Sequence, residues 1–134
     1  MSTATPFVAA AYAAFLGLLA VALTVRVILC RVETGIQAGD GGNAQLAQKI
    51  RAHANFAEHV PMALVLIVLA ETVGTPTGLV HALGSGLVIA RLASAWGLSH
   101  SLGPTMPRQA GAGATALVVA AASLLIAYRL FAAH

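Results

Sequence analysis

The side chains best suited to chemistry lie in one short run, Arg51-Ala52-His53-Ala54-Asn55-Phe56-Ala57-Glu58-His59-Val60-Pro61. On a helix each residue turns about 100°, so Asn55 lies about 40° and Glu58 about 20° to either side of Arg51, with Gln48 about 60° away. His59 falls on the edge of this stripe at about 80°, whereas His53 points the opposite way. A cation, a carboxamide and a carboxylate on one face admit two readings, which periodicity alone weighs evenly. Arg51 and Glu58 pair, with each other or across helices, and fix the packing. Or the stripe receives a polar ligand, with Arg51 on a carboxylate, Glu58 on an ammonium and Asn55 on an amide. Metal chemistry does not fit, because His53, Glu58 and His59 form H-x4-E-H rather than H-E-x-x-H or H-x-x-E-H, and His53 and Glu58 oppose one another. Pro61 removes a backbone donor just beyond the stripe, where it marks the border between polar and lipid-facing halves or is simply a proline tolerated in a membrane helix.

Arg91 is the other isolated charge in an apolar surrounding. It reads either as a residue snorkelling from the cytoplasmic end of its helix, the slightly favoured reading, or as a second cation beside Arg51. Gly86, Ala90 and Ser94 form a small-residue ridge at four-residue spacing on the same segment, which suits close helix contact. His81, His100 and His134 are scattered, and an isolated histidine is more often structural or exposed than a ligand.

These residues need apolar elements to carry them. The 134-residue chain is 59% hydrophobic and only 8% charged, with seven Lys or Arg and four Asp or Glu. An ordinary soluble domain is about 25% charged, and so few charges cannot cover the surface of a small globule. Soluble enzymes and disordered chains are therefore excluded. The basic residues are scattered, so no nucleic-acid partner is expected. Cys30 is the single cysteine, which excludes an intrachain disulfide and a cysteine metal cluster.

A bilayer core takes roughly 20 helical residues. Four stretches meet this requirement, giving helices at about 6–29, 43–71, 77–98 and 109–131. The first has no basic residue ahead of it and reads as a retained span rather than a signal peptide. Gly35, Gly39, Asp40, Gly41 and Gly42 punctuate the following loop, and Asn43 stands where an N-cap is expected. The second helix, about 43 Å long, exceeds what its apolar half requires. A short turn at Thr72–Thr77 and a loop at Ser99–Arg108 complete the layout. Arg26, Arg31, Lys49, Arg51, Arg91 and Arg108 lie towards one side and Arg129 towards the other, so both termini are expected outside the cytoplasm.

Arg51, Asn55, Glu58 and Pro61, in the order R-x-x-x-N-x-x-E-x-x-P on a second membrane helix, resemble the signature of the MAPEG family, the membrane-associated proteins of eicosanoid and glutathione metabolism. Gly39-Asp40-Gly41-Gly42 and the run Ile50 to Phe56 are similar to its small bacterial branch. The resemblance implies one integral membrane domain over residues 1–134, an all-α bundle of four transmembrane helices. It implies a homotrimer in the bacterial inner membrane, with a cytoplasm-facing site between subunits. Glutathione is the implied co-substrate, held by Arg51, Asn55 and Glu58, with His59 beside them and Arg26 or Arg31 as the basic residue near the end of the first helix. Arg91 and Arg108 are the implied stabilisers of its thiolate. The implied activity is transferase or peroxidase-like, on a small apolar electrophile that enters from the lipid. The alternative is a non-catalytic lipid-binding or scaffold member of the same fold, because Ser94 and Leu98 stand where glutathione-using members carry tyrosines. The chain's tyrosines, Tyr12 and Tyr128, lie near the far side. A small transporter rests on size and topology alone.

Overall fold

The computed structural model describes residues 5–100 and 106–132, without the Arg108 side chain. It contains four helices, α1 (Phe7–Thr34), α2 (Ala44–Thr72), α3 (Thr77–His100) and α4 (Met106–Ala132). All four are long and apolar enough to cross a membrane. Large apolar side chains such as Phe7, Leu18, Val32, Ile89, Leu117 and Phe131 point outward, as a surface solvated by lipid tails permits.

Each helix end has a local cause. The first free N–H groups of α1 find no cap from Pro6. They are met instead by Glu71 at the end of α2, whose carboxylate accepts from Val8 N at 3.0 Å and Ala9 N at 2.7 Å. A carboxylate at the positive end of a helix is favourable on both hydrogen-bonding and dipole grounds. At its other end α1 runs five residues past the expected Leu29. The charges after Leu29 leave the apolar run but do not break a helix. The break comes at Gly35, which takes a left-handed φ of 71° and donates its N–H to the Arg31 carbonyl at 2.8 Å. Asn43 caps α2 as expected, its Oδ1 accepting from Leu46 N at 2.9 Å, and α2 continues through Pro61 as one helix. α4 begins at Met106, ahead of the expected 109, because Pro107 sits in its first turn, where a missing N–H costs nothing.

Cross-helix contacts show an up-down-up-down bundle. The end of α2 meets the start of α1 through Glu71. Tyr12 meets His81 near the starts of α1 and α3, at 3.0 Å between the hydroxyl and Nδ1. Arg26 meets Ser99 towards the other ends of the same two helices, at 3.0 Å. The core between them holds Leu16, Leu23, Phe56, Ile67, Leu87 and Val118.

The Gly86-Ala90-Ser94 ridge faces α4. A Cβ added at Gly111 would lie 2.1 Å from Ser94 Oγ and 2.5 Å from the Ala90 carbonyl oxygen. The backbones of α3 and α4 touch at this point, an approach only glycine allows. Gly84 plays the same part towards α1, where an added Cβ would lie 2.2 Å from a Tyr12 ring carbon.

Candidate functional site

The α2 stripe sits where the bundle turns polar. Arg51 and Glu58 point outward, their side chains 49% and 53% exposed, and their closest N–O distance is 3.9 Å. A pair this long and this open is worth at most about 1 kcal/mol. The chain itself therefore leaves both charges largely available. Asp40 and Gly39 of the α1–α2 loop and Ala47, Ile50 and Ala54 of α2 wall an open groove of about 380 Å³ around Arg51. Arg31 shapes that wall: its guanidinium donates to the carbonyls of Ile36 at 3.1 Å and Gly39 at 2.9 Å. Asp40 tightens the turn by accepting from Gly42 N at 2.9 Å.

Asn55 is half-buried and turned into the bundle. Its Oδ1 accepts from Arg91 Nη1 at 3.0 Å. Arginine has only donors, so the contact forces the amide orientation: the oxygen faces Arg91 and the NH2 group is left for another partner. His59 lies one turn on, with Nδ1 donating to the Asn55 carbonyl at 2.8 Å.

Arg91 is 1% exposed. The snorkelling reading is therefore corrected: the side chain turns inward, to where α2, α3 and α4 meet. Its Nη2 donates to Ser94 Oγ at 3.2 Å, to the Gly111 carbonyl at 2.8 Å and to Thr115 Oγ1. Its Nε has no partner. Among the described residues no carboxylate pairs with Arg91, so neutral dipoles from three helices carry the buried charge. Sequence reading missed this cradle. Ser94 was visible as a small residue and as a departure from the family's tyrosine, and Gly111 and Thr115 carried no signal that one helix must supply acceptors to a cation on another.

The remaining candidates stand apart from the stripe. Arg26 is exposed and donates to Ser99 on α3. Arg108 lies in the first turn of α4, its side chain outside the described residues. Tyr12 is held by His81, and Tyr128 belongs to the opposite end of α4 from Gly111. Among the described residues no three His, Cys, Asp or Glu side chains converge as a metal shell requires.

This architecture can be set beside known proteins. The family model described as the MAPEG family matches residues 9–128. The chain belongs to the MAPEG family. It is also 36% identical over 95 residues to the inner membrane protein YecN of Escherichia coli K12, an overlap of 71% of this chain and 72% of YecN. YecN of Escherichia coli O6:H1 strain CFT073 matches to the same extent. As a MAPEG protein the chain is an integral membrane four-helix bundle, and the matched region contains the whole stripe together with the Arg91 cradle.

Proposed function

We propose that this MAPEG protein is a glutathione-binding membrane transferase or peroxidase-like enzyme acting on apolar electrophiles. The observation that carries the reading is two outward charges, Arg51 and Glu58, on the same helix as an amide, Asn55, whose oxygen is held by Arg91. Glutathione bears two carboxylates, one ammonium and two peptide groups. Arg51 takes a carboxylate, Glu58 takes the ammonium, and the free NH2 of Asn55 donates to a carbonyl or carboxylate oxygen. Arg91 acts through Asn55, holding its amide. Because the stripe is half open in one chain, a second copy is expected to close it, in the homotrimer that the family resemblance implies.

In the conjugation step the bound thiol loses its proton to water, helped by the cationic surroundings. The sulfur then forms a bond to the electrophilic carbon, and the leaving group departs with its electron pair. The electrophile reaches the site from the lipid side. Arg108 is the cation assigned to the thiolate in this reading. Cellular placement follows the same reasoning: a multi-pass protein of the bacterial inner membrane, as the name of YecN suggests. Both termini are placed outside the cytoplasm. With Arg91 buried, Arg26, Arg31, Lys49, Arg51 and Arg108 still oppose Arg129 alone, so the charge bias persists.

Calorimetric titration of the purified protein with glutathione tests the binding, and absorbance-monitored conjugation of a chlorodinitrobenzene tests the chemistry. Saturable binding and turnover are expected; absence of both refutes the proposal. One observation favours a second reading, a non-catalytic binding member of the family. The described tyrosines stand away from the stripe, and Arg91 Nη1 and Nη2 are engaged by internal acceptors. Thiolate absorbance on adding glutathione, lost in Arg108→Ala, would rule that reading out.

A further inference from the structure

A second polar feature lies on another face of the bundle, between α1 and α3. Leu19, Ala22, Leu92 and Ala95 floor an open apolar groove of about 370 Å³ there, and Arg26, Trp96 and Ser99 stand at its rim. Arg26 is exposed, and its described partner is the Ser99 hydroxyl oxygen, which leaves most of its five N–H donors free. The Ser99 hydroxyl itself donates to the Ala95 carbonyl at 2.6 Å, which fixes the acceptor that Arg26 leans on. No carboxylate among the described residues neutralises Arg26. Glu33 is two turns further along α1, about 10 Å away, roughly one screening length.

The depth of this rim identifies what it meets. Phe7 and Arg26 are separated by about 28 Å of helical rise, against a hydrocarbon core of about 30 Å. With α1 spanning the bilayer, Arg26 and Ser99 therefore stand at the edge of the hydrocarbon core, where an arginine side chain reaches the lipid phosphates, and the apolar groove runs from them along Leu19 and Leu92 towards the bilayer centre. Trp96 is 63% exposed at the same level, as amphipathic aromatic residues are in the interfacial belt. The His100 ring backs it at 4.8 Å and is tied to the Trp96 carbonyl at 2.7 Å, so the indole is held beside the groove.

We propose that this groove is a binding site for an anionic glycerophospholipid, with the headgroup phosphate on the Arg26 guanidinium and an acyl chain along the Leu19–Ala22–Leu92–Ala95 floor. Charge complementarity selects the occupant: a cation without a counter-ion among the described residues, within reach of the lipid phosphates, above an open apolar groove. The inference does not depend on the glutathione reading, since the stripe and the groove use different side chains.

Trp96 is the chain's single tryptophan, so its fluorescence reports on this site directly. The protein is reconstituted into bilayers of phosphatidylcholine in which a rising fraction is replaced by brominated phosphatidylglycerol or by brominated phosphatidylcholine with the same chains. The bromine quenches the indole when the chain occupies the groove. Wild-type protein is expected to favour phosphatidylglycerol by roughly fivefold, the factor that one Lys or Arg near an anionic surface supplies. Arg26→Gln should bring the two curves together, Arg26→Lys should keep them apart, and Arg129→Gln, at the other end of the bundle, should leave the preference intact. Superimposable curves in the wild type overturn the proposal without any variant. So does a preference that survives in Arg26→Gln, or one that Arg129→Gln removes.

Discussion

Gly111→Ala is the sharpest test of how the buried cation is held. The new methyl would lie 2.5 Å from the Ala90 carbonyl oxygen and 3.0 Å from the Ser94 amide nitrogen, besides 2.1 Å from Ser94 Oγ. The serine hydroxyl can rotate away, but the two backbone atoms cannot. Restoring the carbonyl contact to 3.0 Å or more requires α4 to back off from α3 by about half an ångström, an overpacking that costs about 1–3 kcal/mol. The same movement stretches the 2.8 Å bond from Arg91 Nη2 to the Gly111 carbonyl. Interhelical hydrogen bonds within membranes average about 0.6 kcal/mol and reach about 1.7. The combined penalty is about 2–4 kcal/mol. Gly113→Ala is the matched control: its Cβ meets nothing within 4 Å. Both variants gain the same helix propensity, up to about 1 kcal/mol, so their difference isolates the packing. Unfolding in mixed micelles with increasing dodecyl sulfate, followed by circular dichroism, should place Gly111→Ala about 2–4 kcal/mol below Gly113→Ala. Equal stabilities would show that α3 and α4 are not in backbone contact here and would remove the geometric basis of the Arg91 cradle.

Three further outcomes follow from the same contacts. Asn55→Asp sets a carboxylate against Arg91, so the fold should withstand sodium dodecyl sulfate at least as well as wild type. The variant loses the free NH2 group and adds negative charge, so its calorimetric affinity for glutathione should fall by tenfold or more; unchanged affinity would take Asn55 out of the site. Arg51→Ala should weaken glutathione binding by a similar factor while changing stability by less than about 1 kcal/mol, because its only described ionic contact is a 3.9 Å exposed pair; a large loss of stability would mark Arg51 as a packing residue. Glu71→Ala leaves the Val8 and Ala9 amides without their acceptor and should cost about 1–2 kcal/mol in the same unfolding assay, the range of a lost N-cap; a neutral result would mean water serves those amides equally well.

Much of this molecule was legible along the chain. Four spans follow from the scarcity of charge, because so apolar a chain belongs in lipid, where the backbone satisfies its own hydrogen bonds by forming helices. The Asn43 cap, the glycine-punctuated loop and the shared face of Arg51, Asn55 and Glu58 follow from local geometry, where neighbours in sequence are neighbours in space. The Gly86-Ala90-Ser94 ridge was recognisable as a contact surface from its four-residue spacing. Helix ends were less legible: α1 outlasts its apolar run because charges do not terminate a helix, and Gly35 does.

What the chain alone left open was settled by contacts between residues far apart in sequence. Whether Arg91 snorkels or turns inward depends on whether acceptors await it inside, and these come from Asn55 on α2 and from Gly111 and Thr115 on α4. No periodicity of α3 encodes that. The direction of the Asn55 amide is likewise decided by the donor facing it, 36 residues away. Glu71 looked like a residue at the end of a helix and is the N-terminal cap of another. Arg26, one of two basic residues considered for the glutathione site, is leaned towards α3 by Ser99 and stands at the rim of the α1–α3 groove. Composition and spacing determined that the protein is a four-span membrane bundle and which face of its second helix is polar. Only the packing of the helices decided which of those polar groups are held inside and which are left free to bind, because that depends on the partner each group meets across the bundle.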